Sequence, residues 1–206
     1  MSQFFPVFLN EHDTENYVDT IDALIRKFKG PSKVLLTLRL DNDDALNSTF
    51  IDKMQSISVC QKTKDCIYSF KRGLQYYTGS NLAYGINYPD NHYLFIKTNN
   101  YDSNRISHVF KFRHDDVRSL KYPFNLVNNK EYMWVEVIHE QNVANDVKLT
   151  FNQRPITDRN LMKKEFCWDV ELSNHTALSY FTFLLPRIAN LIFLKIRKRI
   201  LGKSHY

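Results

Sequence analysis

Three carboxylates fall within four residues at Asp41-Asn42-Asp43-Asp44, directly after the apolar run Val34-Leu35-Leu36-Thr37-Leu38-Arg39-Leu40. Like charges this close repel unless a cation or cationic side chains sit among them. Hard oxygen ligands suit Mg²⁺ or Mn²⁺, ions that complete their coordination with water and substrate phosphates. A strand that delivers acids at its C-terminal edge is also where open α/β folds bind ligands. The chemistry on offer is a metal–diphosphate site. The competing reading is an acidic turn, with Asp44 or Asn47 capping the next helix. A calcium loop fails on spacing: counted from Asp41, the fifth position is Ala45, and the sixth, which needs glycine, is Leu46.

The chain that must position these acids has 206 residues, enough for one sizeable domain with an appendage. Fifteen Phe and twelve Tyr supply a core, and five Gly and six Pro argue against a repeat array or a disordered chain. The net charge of +6 belongs to one end. Residues 187–206 hold Arg187, Lys195, Arg197, Lys198, Arg199 and Lys203 and no acid; the rest carries 22 bases and 22 acids. A neutral body removes the main electrostatic support for nucleic-acid binding. Cys60, Cys66 and Cys167 lack the spacing of a zinc site or a disulfide framework, so a reducing compartment is expected. The N-terminus shows no basic stretch followed by an apolar one, which predicts no secretory signal.

Along the chain, residues 4–9 read as a short strand, residues 14–29 as a helix with Tyr17, Ile21, Leu24, Ile25 and Phe28 on a core face, and residues 34–40 as the next strand. Strand–helix–strand predicts a parallel pair and an α/β layer. Residues 45–58 read as a helix. Two strands are expected within 65–77, others at 82–86, 92–97 and 132–139, and loops at 98–107 and 145–158. From Thr176 onward the pattern is one long helix, interrupted at Pro186.

Two segments together carry a resemblance. Thr37-Leu38-Arg39-Leu40-Asp41-Asn42-Asp43-Asp44-Ala45-Leu46 resembles the acidic motif of GT-A glycosyltransferases, most closely that of a bacterial group described as rhamnosyltransferases. Met133-Trp134-Val135-Glu136-Val137-Ile138-His139-Glu140-Gln141-Asn142-Val143-Ala144-Asn145 is similar to that group's later Trp…His…Asn segment. The resemblance spans residues 33–145. It implies a GT-A-like α/β fold with a mixed, mainly parallel sheet flanked by helices over residues 1–175. It also implies a nucleotide-sugar donor, a glycan or lipid-linked acceptor, and Mn²⁺ or Mg²⁺. Carried over, Asp43 ligates the metal and Asp41 faces the ribose or the metal shell. Asp44 supports both, and His139 closes the metal or diphosphate site. A buried histidine bonded to backbone is the alternative for His139. Only 33 residues precede Val34, fewer than the donor-binding half of such enzymes needs. The resemblance therefore predicts an N-terminally shortened transferase whose isolated chain is a poor enzyme.

Arg39 can offset the acids or reach a diphosphate as a bidentate donor; a structural ion pair is its alternative. Inverting transfer needs a base for the acceptor hydroxyl. Asp115, Asp116 and Glu136 are candidates, with Asp116 favoured because His114-Asp115-Asp116 lies between the two motifs, and helix capping is the competing role. Tyr76, Tyr77, Tyr84, Tyr88 and Trp134 can stack on sugar or base rings or fill the core. No Gly-rich phosphate loop, Gly-x-Ser-x-Gly or His-Glu-x-x-His is present. Residues 176–206 carry a broad apolar face with basic flanks, which predicts docking on an anionic membrane surface, peripheral at its cytoplasmic face. A core-packing helix with a solvated basic end is the other reading. A non-catalytic membrane-docking or interaction protein is the alternative to an enzyme.

Overall fold

The computed structural model describes residues 16–28, 34–60, 65–99, 108–112, 118, 120, 122–139 and 153–175, with 185, 189, 192 and 193. These residues form an α/β protein whose chain divides into two compact units. The first comprises Met1–Leu40, Asp52–Phe70 and Asp90–Val127, and the second Asp41–Ile51, Lys71–Pro89 and Asn128–Tyr206.

The first unit is built on a four-stranded sheet. Its strands β1 (Val34–Leu38), β3 (Cys66–Phe70), β6 (Phe95–Asn99) and β7 (Phe124–Val127) lie in the order β1-β6-β3-β7. β1 and β3 run antiparallel to β6, while β7 runs parallel to β3. Ile67, Leu94, Ile96 and Val109 pack with Phe110, Phe112 and Phe124 into the core. Tyr68 stacks on Phe95 at 4.9 Å between centroids, and burial pushes its phenol up to about 12. Helix α1 (Tyr17–Phe28) has the expected apolar period, yet no residue of it is fully buried. Its Tyr17 hydroxyl donates to the Phe110 carbonyl at 3.3 Å. Asp22 accepts from Lys111 Nζ at 2.8 Å. Cys66 is buried and takes part in no disulfide.

The second unit carries a five-stranded sheet in the order β2-β8-β4-β5-β9, with β2 at Ala45–Leu46, β4 at Arg72–Tyr77, β5 at Leu82–Asn87, β8 at Trp134–Ile138 and β9 at Arg154–Pro155. β8 is antiparallel to β2 and parallel to β4. One face buries Leu74, Tyr76, Ala83, Val135 and Val137 against Met162 and Phe166 of the short helix α3 (Leu161–Phe166) and against Leu172. Trp134, fully buried, lies over Gly73, where a Cβ would come within 2.1 Å of the indole.

Two expectations need correction. Most of the described strand pairs are antiparallel, and only β3 with β7 and β4 with β8 run parallel, so the sheets are mixed but not mainly parallel. The reason is local. Thr78-Gly79-Ser80-Asn81 turns β4 straight into β5, with Asn81 in the left-handed region at φ 53° and its side chain accepting from the Tyr76 hydroxyl at 2.7 Å. Ala45 and Leu46 form a strand rather than the start of a helix; helix α2 begins later, at Phe50–Cys60. Asn47 marks the change. Its Oδ1 accepts from the Thr49 backbone N–H at 2.9 Å, as a helix-capping side chain does. β1 lies at the edge of the described sheet. The readings of residues 4–9, 100–107 and 141–152 fall outside the described residues.

Candidate functional site

The acids and His139 are joined through β8. Val135, Val137 and Ile138 are β-branched residues suited to a strand, and Val135 and Val137 bury themselves in the core of the second unit. Immediately after the acids, β2 pairs with β8 in the register Ala45↔Val135 and Leu46↔Trp134. Continued backwards, an antiparallel register runs residues 41–44 alongside the end of β8, the point where His139 emerges.

The turn is fixed at three points. The Asp44 N–H donates to the Asp41 carbonyl at 3.3 Å, closing a β-turn with Asn42 and Asp43 at its tip. Asp44 Oδ1 accepts from the Val137 N–H at 3.0 Å. Buried Asn47 donates to the Tyr132 carbonyl at 2.8 Å. In this setting His139 Nε2 stands 3.1 Å from Asp43 Oδ2. The two side chains keep 34% and 38% of their surface, so the pair is open to solvent. Exposed pairs contribute little stability, about 0–1 kcal/mol. Asp44 and Asp41 also present carboxylate atoms within 4.8 Å of one another.

The predicted residues therefore divide. Asp43 meets His139, and Asp44 meets the backbone of β8 and the carboxylate of Asp41. Among the described residues, Asp41, Asp43 and His139 do not gather as one three-ligand cluster. Arg39 is half-buried just past β1, in the first unit. Asp116, with Asp115, lies outside the described residues. Tyr76, Tyr77, Tyr84 and Trp134 are buried core residues, which removes them as ring-stacking platforms; Tyr88 is half-buried.

Glu136 is half-buried on β8, and its Oε2 accepts from Gln75 Nε2 at 2.8 Å, its partner across β4. Gln75 Oε1 in turn accepts from Gln153 Nε2 at 2.6 Å. Two buried carboxamides thus orient one carboxylate, each polarising the next. Sequence reasoning missed Gln75 and Gln153. The first sits within an ordinary strand pattern, the second lies far along the chain, and only the register brings them together.

The family model described as "Putative rhamnosyl transferase" matches residues 1–150. The chain belongs to this family. The matched span contains the acidic turn, β8 and His139, and ends before β9 and α3. No curated protein and no solved structure matches the chain.

Proposed function

We propose that this rhamnosyltransferase-family protein is a metal-dependent glycosyltransferase of the GT-A type, moving a sugar from a nucleoside-diphosphate donor to a hydroxyl of a glycan or lipid-linked acceptor. The observation that carries the reading is the Asp43–His139 pair at 3.1 Å, held by a turn tied to β8. An octahedral ion with bonds of about 2.1 Å sets neighbouring ligand atoms about 3.0 Å apart. The pair fits two such positions, and a carboxylate with an imidazole is a donor set compatible with Mn²⁺ as well as Mg²⁺. Asp43 and His139 would hold the cation, Asp41 would add its carboxylate toward the ion or the donor ribose, and Asp44 would keep the turn in place. When bound, a divalent cation offsets the charge that develops on the departing diphosphate.

In the transfer, the bond between the anomeric carbon and the diphosphate oxygen breaks and a bond to the acceptor oxygen forms. In an inverting transfer the hydroxyl proton passes to a carboxylate, for which Asp116 and Glu136 are the candidates. Glu136 has the support of its orientation by Gln75. Arg39 offers two parallel N–H donors for the diphosphate.

Calorimetric titration of Mn²⁺ and a nucleoside diphosphate into the wild type, Asp43→Ala and His139→Ala tests the reading. Nucleotide binding should require the metal, and each variant should weaken it by tenfold or more, the order expected when a metal-site partner is lost. Equal binding by all three proteins would sink the assignment and favour a non-catalytic interaction protein.

A further inference from the structure

In the sheet of the second unit, directly paired residues send their side chains to the same face. The register sets Gln75 beside Glu136 of β8 and Tyr84 of β5, and Tyr77 beside Ile138 and Leu82. Tyr77, Leu82, Tyr84 and Ile138 form an apolar cluster on that face. Two carboxamides are buried with it: Gln75 and Gln153 each keep only 4% of their surface. Their orientation follows from the carboxylate at one end. Ionised Glu136 only accepts, so Gln75 turns Nε2 toward it, at 2.8 Å. Gln75 Oε1 then faces the other way, where it accepts from Gln153 Nε2 at 2.6 Å and from the Tyr77 hydroxyl at 3.4 Å. Gln153 is left with its Oε1, which is buried and has no hydrogen-bond partner among the described residues. The relay therefore ends in acceptors on both sides, a buried carbonyl oxygen at Gln153 and a half-buried carboxylate at Glu136.

Stability does not account for this relay. Apolar side chains would extend the neighbouring cluster, whereas a buried acceptor without a donor works against the fold. A molecule that donates hydrogen bonds to both ends offsets that cost. We propose that this face is the acceptor subsite and takes a neutral carbohydrate, whose hydroxyls donate to Glu136 and to Gln153 Oε1. The relay carries one negative charge and no positive group, so a sugar bearing its own carboxylate or phosphate is disfavoured there. In calling the sugar an acceptor the inference rests on the proposed transfer; the binding itself needs neither metal nor nucleotide.

The test is titration of the full chain, free of metal and nucleotide, with methyl glycosides of rhamnose, glucose and galactose and with the uronides of the last two, read by saturation-transfer NMR. At least one neutral glycoside should bind, and neither uronide should bind as tightly. Glu136→Gln keeps the shape and removes the charge; it should weaken the neutral sugar about five- to tenfold and erase the preference over the uronides. Gln153→Leu should weaken binding by a similar factor yet unfold in urea near the wild-type midpoint, because Gln75 Oε1 keeps the Tyr77 hydroxyl. The proposal is overturned if no neutral glycoside binds, if a uronide binds as tightly as the best of them, or if both variants bind like the wild type. Sugar binding beside a failed metal–nucleotide titration upholds the subsite and removes the transfer reading. The reverse pattern removes the subsite and leaves the transfer reading standing.

Discussion

His139 Nε2 lies 3.1 Å from Asp43 Oδ2, although 96 positions separate them in sequence. The contact follows from strand pairing: β2, only two residues long, ties the acidic turn to β8, and β8 ends one residue before His139. Because both side chains are more than one-third open, the pair stabilises the fold by about 1 kcal/mol at most. Asp43→Ala and His139→Ala should therefore unfold in urea at nearly the wild-type midpoint while losing metal-dependent nucleotide binding. A large drop in the midpoint for either variant would mean that the pair is structural.

Asp44 should behave in the opposite way. Its Oδ1 accepts from the Val137 N–H inside β8, so Asp44→Ala takes an acceptor from a part-buried backbone donor. Loss of such a partner costs about 1–3 kcal/mol. Asp44→Asn keeps a carbonyl in that place and should cost less than half as much. Urea unfolding of the two variants decides it: equal costs would show that the hydrogen bond is not what Asp44 supplies to the fold.

Gly73 and Gly85 offer a second contrast. A Cβ at Gly73 meets the Trp134 ring at 2.1 Å, and Trp134 is fully buried in the sheet. A Cβ at Gly85 meets the Tyr132 hydroxyl at 2.5 Å, the far end of a half-buried side chain that can swing. Overpacking a well-filled interior costs about 1–3 kcal/mol or more. Gly73→Ala should fall at or above that range, with altered Trp fluorescence, and Gly85→Ala near its lower end. The reverse order would show that Trp134 can retreat and Tyr132 cannot.

Much of the second unit was legible in the sequence because its strands are written locally. The aromatic and β-branched runs around Arg72-Gly73, Leu82 and Trp134 give β4, β5 and β8, and the acid cluster marks the turn before β2. Their arrangement was not legible. Among the described residues β1 pairs with β6, a strand some sixty residues further on, and nothing in the sequence of either strand names the other as its neighbour. Ala45 and Leu46 fit a helical apolar period as well as a strand, and two residues are too few for the sequence to distinguish them. The Asn47 side chain is the visible sign of the true boundary, since a residue that caps a helix cannot lie inside it. The Gln153–Gln75–Glu136 relay is invisible in one dimension, because nothing in a glutamine's neighbours says which distant carboxylate it will hold.

The last prediction concerns acid. His108 is fully buried in the first unit, with Nε2 3.0 Å from Asp22 Oδ1. Burial holds its pKa below the ordinary value; the Asp22 carboxylate pulls it up and Lys111 pushes it further down, and burial wins. Burial likewise lowers His175 in the second unit, against the hydrogen bond to the Ala83 carbonyl that raises it. Both folded units thus favour neutral imidazole. As pH falls through the unfolded value of about 6.5, the unfolded chain takes up protons that the folded chain refuses, so stability declines. The loss continues down to the folded pKa values, and the full contribution is present above pH ~6.5. The slope reaches up to about 1.4 kcal/mol per pH unit for each histidine. Urea unfolding between pH ~5 and ~7, above the range of ordinary carboxylates, should show stability falling toward acid, with a shallower fall in His108→Gln. Stability that stays level or rises toward pH ~5 would show that the two rings are protonated in the folded protein, with Asp22 outweighing burial at His108.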